Sequence, residues 1–313
     1  MSTLKRIAIS VGDLNGVGFE ILLKAHDYIK TLCHPLYCIN YTMAHQAAML
    51  LGTQFPNDFN MVKVSGEFTI NPGTVCALSG KYSYDSFIQA VELAKTKHVD
   101  AITTLPIHKE AWMKAGIDYV GHTDALRDLL HSDAIMMLGC EELYVALLTE
   151  HIPLREVPQH ITTDEVYNFL IRLYQSIKRR PIAVLGLNPH AGDHGVLGSE
   201  ERFIEEAIEK ANAHIGKSIF EGPIVPDIAF TPRSREHYKT IAAMYHDQGL
   251  APLKALYFDE GINVSLGLPI IRTSVDHGTA FDIAYQNKAL ILSYINAIKA
   301  AISFTVKEDE DVI

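Results

Sequence analysis

No apolar run in this sequence approaches the roughly 20 residues that a membrane-spanning helix needs. The longest, such as Ala134 to Leu138 and Tyr144 to Leu148, are of strand length. The opening segment MSTLKRIAISVGD sets charge beside a short apolar run, but Ser10, Gly12 and Asp13 interrupt it and no small-residue cleavage site comes after it. It reads as a first strand. Cysteine is scarce: Cys33, Cys38, Cys76 and Cys140 are too few and too scattered for a disulfide framework. The expectation is a reducing cytoplasm with these thiols as packing residues. Basic blocks are missing as well. With 27 Lys+Arg against 37 Asp+Glu, a formal net charge of −10, the chain lacks the concentrated positive charge that nucleic acid or an anionic membrane would demand of it. Neither is expected as a partner. Repeats and low-complexity segments are also absent, and the one charge run, KEDED at 307 to 311, reads as a solvated tail.

Histidine, by contrast, is plentiful: 15 residues in a chain of 313. It is the side chain that most readily binds metals and moves protons near neutral pH. At roughly 150 residues per domain the length suggests two domains. Strand-length apolar runs alternate with helical periodicity. Arg6 to Val11 leads through a glycine-bearing turn into a helical pattern over Phe19 to Ile29, and Val99 to Leu105 stops at Pro106 ahead of a short helix over Lys109 to Lys114. Tyr144 to Thr149, Ile182 to Leu187 and Thr240 to Tyr245 are further strands. Thr162 and Glu165 form a capping box for a helix to Lys178, and Ser199 ahead of Glu200 and Glu201 starts another to about His214. The fold class is therefore α/β, a two-domain chain with a mainly parallel sheet and flanking helices.

In such sheets ligands bind outside the carboxyl ends of the strands. The residues just past each strand are then candidate sites: Gly12-Asp13, Pro106 to Lys109, Thr149-Glu150-His151, Asn188-Pro189-His190 and His246-Asp247. His151, His190 and His246 stand together as three imidazoles at one sheet edge, a set that suits a divalent ion and leaves a position open for a substrate oxygen. Their spacing matches no local metal motif, and each alone could be an ordinary loop histidine. A second group carries donors for an anion. His122 and Thr123 precede a helix expected from about Asp124, while Lys254, Asn263 and Arg272 lie in the mostly apolar stretch from Leu250 to Thr273, where unpaired charge is expensive. Lys254 and Arg272 could equally be surface charges or ion pairs. A third group bears glycine. Gly12 to Glu20 comes after a strand and precedes a helix without matching GxGxxG, and Asp276 to Ala284 combines a glycine, a hydroxyl and a helix start.

Several longer motifs then carry a resemblance. GLNPHAGDHGVLG (186 to 198), MYHDQGLAPLK (244 to 254), GINVSLGLPIIRTSVDHGTAFDIA (261 to 284), VGHTD (120 to 124) and TEHIPLREV (149 to 157) closely resemble the family of 4-hydroxythreonine-4-phosphate dehydrogenase, an enzyme of vitamin B6 biosynthesis. The likeness runs from the first strand to about Ile298. It implies NAD- or NADP-dependent oxidation at the hydroxyl-bearing C3, then loss of the carboxylate to give 3-amino-2-oxopropyl phosphate. By position it implies metal ligands at His151, His190 and His246 for one zinc, magnesium or cobalt ion per subunit. Substrate contacts fall on His122, Thr123, Lys254, Asn263 and Arg272, and Lys254 or Asp247 would move protons. The wider superfamily of isopropylmalate and isocitrate dehydrogenases is similar at Gly12 to Glu20 and at His277 to Ala284. This implies that fold, with nucleotide contacts at Gly12, Asp13, Gly16, His277, Gly278 and Thr279.

Two segments depart from the family pattern: GEPAGIGPE stands here as GDLNGVGFE, and TGPVHK as TLPIHK at 104 to 109. The resemblance further implies a homodimer with the active site at or near its interface. A discontinuous arrangement is expected, with 1–124 and 250–313 forming a nucleotide-side domain and 125–249 a central domain that supplies metal ligands and dimer contacts. Two rival readings remain at this point: a dehydrogenase of 4-phospho-threonate or 4-phospho-erythronate, and a three-histidine metallohydrolase that uses no nucleotide.

Overall fold

The computed structural model describes residues 4–177 and 180–305; the KEDED run lies outside them, as does Lys178. The chain opens with β1 (Arg6–Ser10), α1 (Gly18–Leu32), β2 (His34–Cys38), α2 (Tyr41–Leu50), β3 (Met61–Val62), α3 (Ala77–Lys95), β4 (Ala101–Thr104), α4 (Lys109–Lys114) and α5 (His122–Leu130). It continues with β5 (Ile135–Cys140), β6 (Leu143–Leu147), α6 (Thr163–Ser176), β7 (Ile182–Leu185), α7 (Glu201–Ile215), β8 (Phe220–Ile224), α8 (Pro232–His237), β9 (Thr240–Ala243), α9 (His246–Tyr257) and β10 (Ile262–Leu266). It ends with β11 (Arg272–Val275) and α10 (Leu292–Thr305). Two compact units result: Met1–Ser132 with Leu268–Ile313, and Asp133–Gly267. The boundaries thus fall at 132/133 and 267/268, whereas 124/125 and 249/250 were expected; all of α5 belongs to the first unit, and α9 and β10 belong to the second.

In the first unit the strand order is β3-β2-β1-β4-β11, and the neighbours β3/β2, β2/β1, β1/β4 and β4/β11 are all parallel. Ile7, Ala8 and Ile9 on β1 are fully buried, as are all four residues of β4, the burial expected of strands covered on both faces. α1 turns Ile21, Leu22, Ala25 and Ile29 into this core, the face its periodicity predicts. The chain leaves β1 toward β2 and later returns to β4 on the other side. A topological switch point therefore opens beyond the carboxyl ends of β1 and β4.

In the second unit the order is β10-β5-β6-β9-β7-β8. β5 runs antiparallel to both β6 and β10, while β6/β9, β9/β7 and β7/β8 are parallel. The antiparallel β5 modifies the expected mainly parallel sheet. It arises because only two residues, Glu141 and Glu142, connect β5 to β6, too few for a crossover. The stretch from Leu250 to Thr273, whose elements sequence reasoning did not separate, divides into the end of α9, β10 and the start of β11.

Two helix starts also need correction. Thr162 caps α6 by accepting from the Glu165 N–H at 3.2 Å, but the Glu165 carboxylate turns to His160 Nδ1 at 2.9 Å, so only half of the capping box forms. Ser199 does not cap α7; Glu200 stands at the N-cap and no side chain caps that end. All four cysteines are free, three of them buried, in keeping with a packing role. No helix among the described residues is long and apolar enough to cross a membrane.

Candidate active site

β9 lies between β6 and β7, so the exits of three adjacent parallel strands carry His151, His246 and His190. Short side-chain bonds tie these exits together. Thr149 Oγ donates to the Met244 carbonyl at 2.7 Å, joining the His151 and His246 segments. Gln248 accepts from the Met244 N–H at 2.8 Å and donates to the Gly186 carbonyl at 2.7 Å, joining the His246 and His190 segments. Glu150 accepts from the Met136 N–H at 3.2 Å, which anchors the His151 turn on β5. Asn188, immediately before Pro189-His190, is held by Glu200 and Glu201. Sequence reasoning missed Gln248 and the buried role of Glu201, since neither residue type at those spacings signals a site.

The His151 and His246 rings adjoin, with centroids 5.4 Å apart. His246 Nδ1 is paired with Asp247 Oδ1 at 2.7 Å, an arrangement that orients the ring and frees Nε2 for a ligand. His151 and His190 are exposed and His246 is half-buried. His190 opens a left-handed turn and does not complete the set: among the described residues no group of three His, Cys, Asp or Glu side chains is placed to hold an ion within one chain. The donor chemistry of the adjoining imidazoles fits a divalent metal, and the third donor is not gathered with them.

In the first unit, the glycine-bearing loop sits at the switch point. Gly12 has φ +69°, and a Cβ there would stand 2.3 Å from the Pro106 carbonyl oxygen, so only glycine lets β1 exit this close to the end of β4. Asp13 is buried. Its Oδ1 accepts from the Asn15 N–H at 2.9 Å and its Oδ2 from Ser79 Oγ at 3.2 Å. Burial raises the Asp13 pKa; the hydrogen bonds to Asn15 and Ser79 and the field of His108 offset this only in part.

The loop is stitched to the later motif. The Val17 N–H donates to the Thr279 carbonyl at 3.0 Å, and a Cβ at Gly16 would stand 2.6 Å from that oxygen. His108 stacks on Phe281 with centroids 4.8 Å apart, and its Nδ1 is buried without a partner. Gly278 stands in open space, and His277 Nδ1 donates to the Gly278 carbonyl at 2.9 Å. Gly12, Asp13, Gly16, His277, Gly278 and Thr279 therefore belong to one unit, with Thr279 brought directly onto the glycine loop. The helix start expected within 276–284 is a single 3-10 turn, Phe281–Ile283.

The anion-type donors divide between the units. α5 begins at His122, two residues ahead of the expected Asp124, with Gly121 at its N-cap, so His122 and Thr123 lie in its first turn. The His122 ring packs edge-on against Phe87 and Trp112, and its Nε2 is buried without a partner. Burial and the neighbouring Arg272 charge hold this imidazole well below its ordinary pKa, leaving it neutral. Arg272 is 3% exposed and donates from Nη2 to Thr104 Oγ1 at 2.8 Å. Desolvation lowers its pKa, yet the ordinary value is high enough that the guanidinium stays charged at neutral pH. Lys254 on α9 and Asn263 on β10 belong to the second unit, and Asn263 Oδ1 is a further buried acceptor without a partner.

A buried arginine beside an unsatisfied imidazole in the first unit, and strand ends lined by histidine in the second, are features of an α/β enzyme. The family model for the pyridoxal phosphate biosynthetic protein PdxA matches residues 31–301. The chain belongs to this family, whose members are dehydrogenases. It is 60% identical to the 4-hydroxythreonine-4-phosphate dehydrogenase of Sulfurimonas denitrificans, over 95% of this chain and 97% of that protein. It is 54% identical to the enzyme of that name from Campylobacter fetus, over 96% and 98%. The crystal structure of a 4-hydroxythreonine-4-phosphate dehydrogenase from Burkholderia phymatum, 31% identical, superposes with a TM-score of 0.81 over 98% of this chain and 100% of that one. The α/β architecture is thus that of the isocitrate and isopropylmalate dehydrogenase-like fold.

Proposed function

We propose that the chain is a 4-hydroxythreonine-4-phosphate dehydrogenase. It oxidises the C3 hydroxyl with NAD or NADP as hydride acceptor, and the resulting β-keto acid loses carbon dioxide to leave 3-amino-2-oxopropyl phosphate for vitamin B6 biosynthesis. Family membership and full-length similarity to proteins of that name support the reaction. The observation that carries the site is the strand order, which sets His151, His246 and His190 on three adjacent strand exits. Residues His151, His190 and His246 would hold a zinc, magnesium or cobalt ion, which as a Lewis acid supplies polarisation of the oxygen at the reacting carbon. As the family resemblance implies, we place the complete centre in a homodimer, with the site at or near the interface.

The chain's own residues bind and orient the substrate. Arg272 presents a desolvated guanidinium, fixed by Thr104, to the phosphate or carboxylate. His122 and Thr123 add donors from the first turn of α5, and Lys254 and Asn263 hold the remaining polar groups, so that remote binding energy becomes orientation at C3. Lys254 or Asp247 moves the proton released by the hydroxyl. Gly12, Asp13, Gly16, His277, Gly278 and Thr279 form the nucleotide side; the space above Gly278 and the unpartnered His108 Nδ1 support that assignment.

The experiment is His190→Ala in chelator-treated buffer with metal added back. Loss of nicotinamide reduction with an unchanged unfolding transition is expected; normal turnover would remove the metal role.

A further inference from the structure

We propose that Glu201 is a positioning residue for His190: its buried carboxylate holds the chain as it enters a left-handed turn and so sets where the imidazole stands. This rests on the reading of His190 as a metal ligand.

Glu201, the first residue of α7, is 5% exposed. A carboxylate is rarely buried unless its lone pairs are satisfied, and the partners here are all on the two residues ahead of Pro189-His190. Oε1 accepts from the Leu187 N–H at 3.0 Å and the Asn188 N–H at 2.7 Å, and Oε2 accepts from Asn188 Nδ2 at 3.0 Å. The side chain thus does not cap its own helix but reaches back onto the preceding loop. Glu200 braces the same amide from outside, with Oε2 2.8 Å from Asn188 Nδ2 and accepting from the Ser199 N–H at 3.0 Å.

The loop needs this grip. From His190 to His194 five consecutive residues have φ of +53°, +50°, +79°, +44° and +55°, a conformation unfavourable to all of them but Gly192. Such a backbone persists only where its surroundings over-determine it. The two bonds to Oε1 fix the entry to the turn. Midway, Gly192 passes over the carboxylate so closely that a Cβ would lie 2.6 Å from Oε2. The exit is closed by the Leu197 N–H donating to the Gly192 carbonyl at 3.0 Å. Ligand orientation from a second layer of hydrogen bonds is a recurring feature of metal sites, and Glu201 is placed to supply it through the backbone rather than through the imidazole.

The test uses the purified full-length chain in its solution assembly. Zinc affinity is measured by competition with a chromophoric chelator, alongside hydrogen exchange at the Leu187 and Asn188 amides and thermal unfolding. Glu201→Gln leaves one acceptor for the backbone but turns an amide N–H₂ toward Asn188 Nδ2, donor against donor. Zinc affinity is expected to fall about 10–100-fold, the usual cost of losing an outer-layer partner, with faster exchange at both amides. Gly192→Ala, which drives a Cβ into the carboxylate, is expected to act in the same direction and decides the matter should Glu201→Gln not fold. Leu173→Ala, a cavity on α6 in the same unit, serves as the control: a lower unfolding temperature with native zinc affinity separates positioning from general destabilisation. Native zinc affinity in Glu201→Gln and Gly192→Ala, with affinity lost in His190→Ala, would overturn this inference and leave the ligand reading standing. Native affinity in His190→Ala would overturn both.

Discussion

The hydroxyl of Thr149 donates a 2.7 Å hydrogen bond to the carbonyl of Met244, fastening the exit of β6 to that of β9 two residues ahead of each histidine. Gln248 repeats the device between β9 and β7. The candidate metal edge is thus braced from beneath by neutral side chains that bond only to backbone. Gln248→Leu strips the partner from the Met244 N–H and from the Gly186 carbonyl, and its cost is expected at about 1–3 kcal/mol. Thr149→Val leaves the Met244 carbonyl the Thr149 N–H at 3.3 Å, so its cost is smaller, about 1 kcal/mol. Chemical denaturation of both variants checks this ranking, and a reversed order would contradict it.

Asp13 gives a pH signature. Burial raises its pKa above the ordinary 3.8, so the folded chain holds that proton more tightly than the unfolded chain. The contribution to stability is full below 3.8 and is lost as pH rises through the raised value. Asp13→Asn keeps an acceptor for the Asn15 N–H and a polar neighbour for Ser79 while removing the titration. Unfolding free energy plotted against pH is expected to decline less above 3.8 in the variant, which becomes the more stable form at neutral pH. Parallel curves would show that the buried carboxyl is not strained.

His122 acts with the opposite sign. Its neutral form is favoured by burial and by Arg272, whereas the unfolded chain takes up a proton near the ordinary 6.5. Stability is therefore full above 6.5 and falls as pH drops below it. In His122→Gln this acid-side loss shrinks, because the replacement does not titrate. Thermal unfolding at several pH values below 6.5 measures the difference between the variant and the native chain, and equal slopes would contradict the burial of Nε2.

The sequence carried the alternation of strands and helices well. α4 occupies Lys109–Lys114 as read, and the core face of α1 matches its apolar spacing. What it hid was tertiary. Nothing in IMMLGC or INVSL distinguishes an antiparallel strand from a parallel one, and that choice was made by the two-residue link between β5 and β6. The place of His151, His190 and His246 at strand ends was legible, but their adjacency depends on β9 inserting between β6 and β7, a long-range pairing that no local pattern encodes. Glu200 and Glu201 read as a helix start because acidic residues favour that position. Their carboxylates instead serve the loop before them, pairing the part-buried backbone N–H groups of Leu187 and Asn188.

Oxidative turnover of the phosphorylated amino acid can be followed by its nicotinamide product. The direct measurement is the rise in near-ultraviolet absorbance of reduced nicotinamide when the metal-loaded chain receives 4-hydroxythreonine 4-phosphate with NAD, and separately with NADP. Metal-dependent reduction of at least one of the two is expected, with carbon dioxide released in equal amount. No reduction with either nucleotide in the presence of zinc, magnesium or cobalt would contradict the proposed function.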